Sequence, residues 1–505
     1  MGVFLLQTLP VSTPLFPFDN RFALLDGLSL PWQPAPVPAP RWLRFNHGLA
    51  QELGLDGARL GSEEGLAVLA GNRVPDGAQP VAQAYAGHQF GGFSPQLGDG
   101  RALLLGEILD PQGQRRDIAF KGSGRTPFSR GGDGKAAVGP VLREYLISEA
   151  MHALGIPTTR TLAAVATGET ISRERPLPGA ILTRVAASHI RVGSFQFFAA
   201  RGDTDRLRVL ADHAIERHDP SLAARDDRYL ALLDAVSARQ AKLVAQWMSV
   251  GFIHGVMNTD NMTVSGETID YGPCAFLEAY DPGTVFSSID THGRYAFGNQ
   301  PGIAQWNLTR LAEALLPLID EDSDRAVLRA TQVIEGFAQR FSSHWLKLHR
   351  AKLGLRDDGA DDEEDRALVN ELLGLMHAHK IDFTLGFRRL SAVLRGQPDA
   401  LHAVWGQDAA ALEGWRVRWQ ARVAASGEPA AETADRMDAT NPIYIPRNHL
   451  VENALDAAVD DKDLRPFEKL LAIVTDPFSE RSADARAALP GTPEQTFGYR
   501  TFCGT

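Results

Sequence analysis

Apolar residues along this chain follow two successive rhythms. Between about 97 and 185 they come in short strand-length runs, clearest in ALLLGEIL (Ala102–Leu109) and in RRDIAFK from Arg115, with Asp110-Pro-Gln-Gly113 between them as a hairpin signal. The stretch VGPVLREYLISEAMHALG from Val138 then reads as a helix. Beyond about 205 the three- and four-residue spacing of helices takes over, as in Arg228–Gly251 and Ala326–Arg350. Residues 1–80 are rich in Pro and loops, and the PAPVPAP run Pro34–Pro40 suits an extended tether or wrapping arm. The predicted class is α+β, divided into an extension (1–80), a small mixed lobe (81–190), a large helical lobe (191–435) and a C-terminal extension (436–505). No internal repeat is visible, and the acidic run Asp357–Asp365 reads as a solvated loop.

Composition narrows the function. With 505 residues, 44% of them hydrophobic, the chain can bury a large core, and a formal charge of −11 argues against a surface that tracks nucleic acid or anionic lipid. Any anion site must be local. Two cysteines cannot form a disulfide framework or a thiolate metal cluster, so a reducing compartment is expected. The first residues lack a basic region before their short apolar run, and no run of about 18 uncharged apolar residues occurs, so neither a signal peptide nor a membrane span is expected. A cytoplasmic monomer is the expectation.

The candidate chemistry is a constellation. Gly98 and Gly100 precede a strand, where a turn without side chains would let backbone N–H groups approach phosphate. Lys121 ends an apolar strand, a costly place for a cation that meets no anion, and Glu144 on the following helix can face it. Such a trio resembles a kinase small lobe. Further on, His254, Asn261 and Asp270-Tyr-Gly match the kinase catalytic-loop pattern and the Asp-Phe-Gly after it, except that Val256 stands where the catalytic Asp belongs. A two-residue turn at Ser265-Gly266 would pair 261 with 270, so that Asn261 and Asp270 present oxygens to one hard cation. Asp260 is the nearest carboxylate to replace the missing base, and His254 reads as a buried structural residue. Arg184 and Arg191, with the flexible segment holding Asp133, Gly134 and Lys135, can clamp a polyphosphate. Singly, each has a plainer reading as a turn, a loop cap or a surface charge. A P-loop is absent, since residue 129 is Ser and 136 is Ala. So are His-Glu-x-x-His and Gly-x-Ser-x-Gly, and His377 and His379, two apart on a helix, form a poor chelate.

Over nearly its whole length the chain resembles the selenoprotein O family, the protein adenylyltransferase SelO group of kinase-like enzymes. The resemblance is carried by AYAGHQFGGFSPQLGDGRA, IAFKGSGRTPFSRGGDGKA, HGVMNTDNM, DYGPCAF, NPIYIPRNHLVENAL and the terminal TFCGT. It implies a protein-kinase-like bilobal fold and a nucleotidyltransferase that moves AMP from ATP to Ser, Thr or Tyr hydroxyls of proteins, with ATP flipped relative to active kinases. It further implies Asp260 as proton acceptor, Asn261 and Asp270 as ligands of Mg2+ (or Mn2+), and a Lys121–Glu144 pair. Gly98, Gly100, Arg101, Lys121, Asp133, Gly134, Arg184, Arg191 and Asp270 would line the nucleotide site. Cys503 takes the place of selenocysteine in name-giving members, and a Cys274–Cys503 bridge would tie the tail to the metal site under redox control. Three rivals remain at this level: an ATP-binding pseudokinase scaffold, a kinase using Asp260 as its base, and a small-molecule phosphotransferase.

Overall fold

The hairpin signal at Asp110–Gly113 is realised in the computed structural model, which describes residues 14–356 and 362–502. Strands Ala102–Leu109 and Arg115–Lys121 pair antiparallel with Ala102 opposite Lys121, and the Asp110 carboxylate closes their turn by accepting from the N–H groups of Gln112 and Gln114. They form the centre of an eight-stranded sheet, beside two longer strands, Pro176–Ala186 and Arg160–Ser172. Periodicity does not single out that second pair. Thr161–Thr167 and Gly179–Ala186 are buried continuously, so alternation is lost.

The N-terminal segment supplies both sheet edges. Ser29–Pro31 pairs with Val81–Gln83 at one edge, and Arg41–Phe45 pairs with Arg160–Ser172 at the other. The Pro34–Pro40 run crosses between them, held by Ala35 N–H on Ser123 O at 2.8 Å and Ala39 N–H on Thr167 O at 3.1 Å. Proline suits this path because it asks for no ladder donor. Side chains then alternate across the sheet. Ala119, Ala164 and Leu182 meet Leu142, Leu146 and Ile147 of helix Val138–Ala153, while Ile118, Phe120 and Ile181 meet the short helices His47–Glu52 and Glu63–Leu69.

From Val192 onward the chain is mainly helical. Helix Arg228–Ser249 buries Leu232, Val236, Leu243 and Trp247, the stripe its spacing predicts, and Asp203 and Asp322 cap helices Thr204–His218 and Ser323–Lys352 by accepting from the N–H groups of Arg206 and Arg325. A separate core gathers around Trp415 and Trp419, stacked 5.5 Å apart. Helices Asn448–Asp460 and Arg465–Val474 return to cover helix Val138–Ala153, with Phe467 edge-on to Tyr145 at 5.9 Å. Among the described residues no helix is long and apolar enough to cross a membrane.

The acidic run departs from its expectation of a solvated loop. Residues 357–361 lie outside the described residues, and Asp362 begins helix Asp362–Ala378, where acidic side chains favour the positive N-terminal end. Asp365 is fully buried, accepting from Arg350 Nε at 2.7 Å and Arg422 Nε at 2.8 Å. Sequence spacing cannot reveal two arginines that arrive from other helices. His377 and His379 turn to separate carboxylates, Asp281 at 3.6 Å and Asp408 at 3.1 Å.

Lys352 is buried at the end of its helix over the rings of Phe387 and Phe383, 4.3 and 5.4 Å from their centres, with no carboxylate partner among the described residues. Burial lowers its amine to about 7. The unfolded chain holds this proton up to about pH 10.4, so between about 7 and that value stability rises with pH through this group, and below about 7 the full cost persists. Lys352→Met is expected to raise the urea midpoint at pH 7, with the gain shrinking toward pH 10 as unfolding curves are compared.

Candidate active site

Five charged side chains from separate elements converge where sheet and helices meet. Lys121 ends its strand, and Arg184 lies on the neighbouring strand, opposite Ala119, so both project from the face covered by helix Val138–Ala153. That helix contributes Glu144. Its Oε2 is 2.6 Å from Lys121 Nζ and its Oε1 accepts from Arg184 Nε at 2.8 Å. Asp270 completes the lattice: Oδ1 accepts from Lys121 at 3.0 Å and Arg184 at 2.7 Å, and Oδ2 from Arg191 at 3.0 Å. Burial alone would raise the Asp270 carboxyl, but these three cations hold it well below the usual carboxylate range. Within the lattice itself three cations meet two carboxylates, in a chain whose net charge is −11.

The lattice borders a cavity of about 680 Å³. Gly98, Gly100, Arg101, Lys121, Asp133, Gly134, Arg184, Arg191, Asp260, Asn261 and Asp270 all line it, and Glu144 stands behind Lys121. Two N–H groups of the glycine turn are already engaged. The N–H groups of Asp99 and Gly100 donate to Gln83 O at 3.0 Å and Gly98 O at 2.7 Å. Gly98 also serves close packing: its φ is 75°, and a Cβ there would fall 2.3 Å from the Phe128 ring. Asp133 faces Arg173, whose guanidinium donates to both its oxygens at 2.8 and 2.9 Å, and Lys135 Nζ lies 2.5 Å from Glu169.

The expected Ser265-Gly266 hairpin does not form. The segment pairs outward instead, with Val264 N–H on Ile190 O, Val192 N–H on Met262 O and Thr268 N–H on Pro157 O. Thr263 Oγ1 and Glu267 tie the bend between, Oγ1 donating to Glu267 O at 2.7 Å and accepting from its N–H at 3.1 Å. Asn261 and Asp270 therefore reach the cavity from two backbone stretches anchored to different neighbours. Asn261 Nδ2 donates to Val256 O at 3.0 Å, leaving its oxygen as the acceptor side. With ionised Asp270 this makes two hard oxygen donors, few enough to suit Mg2+ that takes its other ligands from phosphate and water. Among the described residues no group of three or more His, Cys, Asp or Glu could hold a metal alone.

Asp260 sits in the 3-10 turn Thr259–Asn261, buried, with Oδ1 lacking any hydrogen-bond partner. Burial pushes its carboxyl up to about 6 against the pull of Arg191. His254 is buried, and its Nε2 meets Ile269 O at 2.9 Å, a structural place that fits its expected role. Val256 lines the cavity with an apolar side chain. The spacing arguments passed over Tyr85, whose ring lies 4.6 Å from the Arg191 guanidinium, and Gln89, whose Nε2 donates to Asp260 Oδ2 at 3.3 Å. Both stand in the AYAGHQFGGF run, a signal present in the sequence as a signature without a role. Arg173, on the link between the two long strands, left no signal of its own.

Cys274 is buried, and burial pushes its thiol up to about 12. Cys503 lies outside the described residues. The tail just before it is anchored beside Cys274, with Thr501 Oγ1 donating to Pro273 O at 2.7 Å and Ser288 N–H to Thr501 O at 2.9 Å.

The chain matches the family described as Protein adenylyltransferase SelO over residues 27–475. A protein nucleotidyltransferase YdiU of Cereibacter sphaeroides is 62% identical over 492 residues, covering 97% of this chain and 100% of that protein. Relatives with the same description from Methylorubrum populi and Rhizobium rhizogenes are 58% and 54% identical, over 98% and 100% of this chain and the whole of each relative. With its charged lattice and buried lone carboxylate on one cavity, the chain belongs to the SelO protein adenylyltransferase family.

Proposed function

We propose that this protein transfers AMP from ATP to Ser, Thr or Tyr hydroxyls of other proteins. The observation that carries the reading is the make-up of the cavity wall: a cationic lattice fit for polyphosphate and, adjoining it through Arg191, a buried carboxylate near Val256, which can accept no proton. The acceptor oxygen attacks the α-phosphorus, the bond from that phosphorus to the α,β-bridging oxygen breaks, and pyrophosphate leaves. The hydroxyl proton passes to Asp260, whose raised affinity for protons suits a general base. Lys121 and Arg184, fixed by Glu144, and Arg191, backed by Tyr85, hold phosphate oxygens. Preorganised charge of this kind is the main lever in phosphorus transfer. Asn261 and Asp270 would hold Mg2+, which would neutralise charge on the departing pyrophosphate when bound.

With this goes a kinase-like bilobal arrangement, residues 81–190 and 191–435 being its lobes between the two extensions, and ATP flipped so that the α-phosphate meets the acceptor. A cytoplasmic monomer is part of the same reading. A sheet-bearing half, a helical half and a cavity at their junction support it.

ATP labelled separately at the α- and γ-phosphate tests the reaction. Label on protein from α-ATP alone is the expected result, lost in Asp270→Ala and reduced by at least about a hundredfold in Asp260→Asn, the usual scale of a general base. Label from γ-ATP alone would make the protein a kinase with a relocated base. ATP binding without either label would leave a scaffold.

We also propose that Cys274 and Cys503 form a bridge that fixes the tail, supported by the anchoring of Thr501 against Pro273. After incubation with oxidised glutathione, which takes up the two electrons and two protons, non-reducing peptide mass spectrometry is expected to show the cross-linked pair. Two free thiols under those conditions would remove it.

A further inference from the structure

The short strands Gly87–Gln89 and Gly92–Ser94 form a hairpin whose turn residues are Phe90 and Gly91, at φ of 52° and 88°. A two-residue turn with both residues in the left-handed region suits the twist of a hairpin, and Asn, Asp or Gly occupy its first position most easily. A phenyl side chain there is strained. What holds the turn is mostly backbone: the Phe90 N–H is shared by Asn258 Oδ1 at 3.1 Å and the Tyr295 hydroxyl at 3.2 Å. An asparagine at 90 would keep both bonds, so the turn itself does not call for the ring.

The ring has another setting. It packs on one side against Tyr295, with centroids 5.1 Å apart, lines the cavity and is 38% exposed. Ile289, half exposed, lines the same cavity. The residue before Phe90 is Gln89, which donates to Asp260, and His88 N–H is held by Thr259 Oγ1 at 2.7 Å. Gly87 passes so close that a Cβ would fall 2.8 Å from Asp260 Oδ1. One rigid piece of chain thus carries both a contact to the proposed proton acceptor and an exposed apolar tip. The tip is thus one residue from the contact that Gln89 makes with Asp260, the group that the acceptor hydroxyl must reach.

We infer that Phe90, with Ile289, contacts the acceptor polypeptide and receives an apolar side chain next to the hydroxyl that is modified. This rests on the nucleotidyl-transfer reading above. The strain at Phe90 is then the cost of holding an aromatic ring at the entrance.

The test uses peptides with a single Ser, Thr or Tyr flanked on both sides by Leu or by Asp, α-labelled ATP, and the full-length protein. The wild type is expected to show a lower KM for the Leu-flanked peptides. Phe90→Asn relaxes the turn, so its melting temperature is expected to stay level or rise and its KM for ATP to stay unchanged. Its KM for the Leu-flanked peptides should rise about tenfold, equal to about 1.4 kcal/mol. Phe90→Leu should retain the preference. The inference is overturned if Phe90→Asn keeps the Leu preference, or if that variant loses ATP affinity while acceptor KM stands still, which would give the ring to the adenine. A wild type that transfers no α-label to any peptide or protein overturns the underlying reaction, a result distinct from either.

Discussion

The structure depends on the burial of three cations and two carboxylates in one lattice. Lys121, Glu144, Arg184, Arg191 and Asp270 come from two strands, a helix, the start of the helical half and a loop, so their mutual attraction fixes those five elements at one point. Removing one partner of a buried pair costs about 3–5 kcal/mol because it strands the other charge, whereas an exposed pair such as Arg225 with Asp227 is screened by water and adds little. The lattice therefore acts on the fold as a single unit. Its three clustered cations give an acidic protein a place where a polyanion can be held.

A second network works on the same face of the sheet, nearer the hairpin turn. Asp117 accepts from Arg217 Nη2 at 2.6 Å and meets His189 Nδ1 at 2.9 Å, and Arg217 also pairs with Glu107. The second oxygen of Glu107 accepts from the N–H of Phe22 at 2.6 Å. Helix Thr204–His218 is thus joined through Arg217 to both central strands and, through Glu107, to the N-terminal segment. Lys121 and Asp117 stand on one strand, so the two networks hold that strand at two points and leave the cavity wall little freedom to shift.

Much of this is legible in the sequence because the chemistry is local along the chain. Lys121 stands at the end of an obvious strand, Glu144 on an obvious helix, and Asn261 and Asp270 in a recognisable pattern. Other parts were illegible for physical reasons. The strands Arg160–Ser172 and Pro176–Ala186 are buried on both faces, so they carry no alternation. The bend at Ser265-Gly266 looks like a hairpin because turn residues mark a bend without saying what its flanks will pair with, and here backbone at 157 and 190 competes successfully. Asp365 reads as solvent-facing until Arg350 and Arg422 arrive from other helices. Gln89 and Phe90 matter only through contacts to residues far along the chain, which no spacing argument reaches.

The proline-rich crossing has a consequence for how the chain comes together. Ser29 pairs with Gln83 and Arg41 with Ala166, so each edge strand waits for a partner made later, and the crossing itself bonds to Ser123 and Thr167. During synthesis Arg41–Phe45 has no strand to join until Arg160–Ser172 has emerged. Contacts so distant in sequence are slow to form. The Arg41–Phe45 edge is therefore among the last parts of the sheet to dock, and the prolines before it keep the crossing extended and unpaired in the interval, a poor template for strand pairing with another chain.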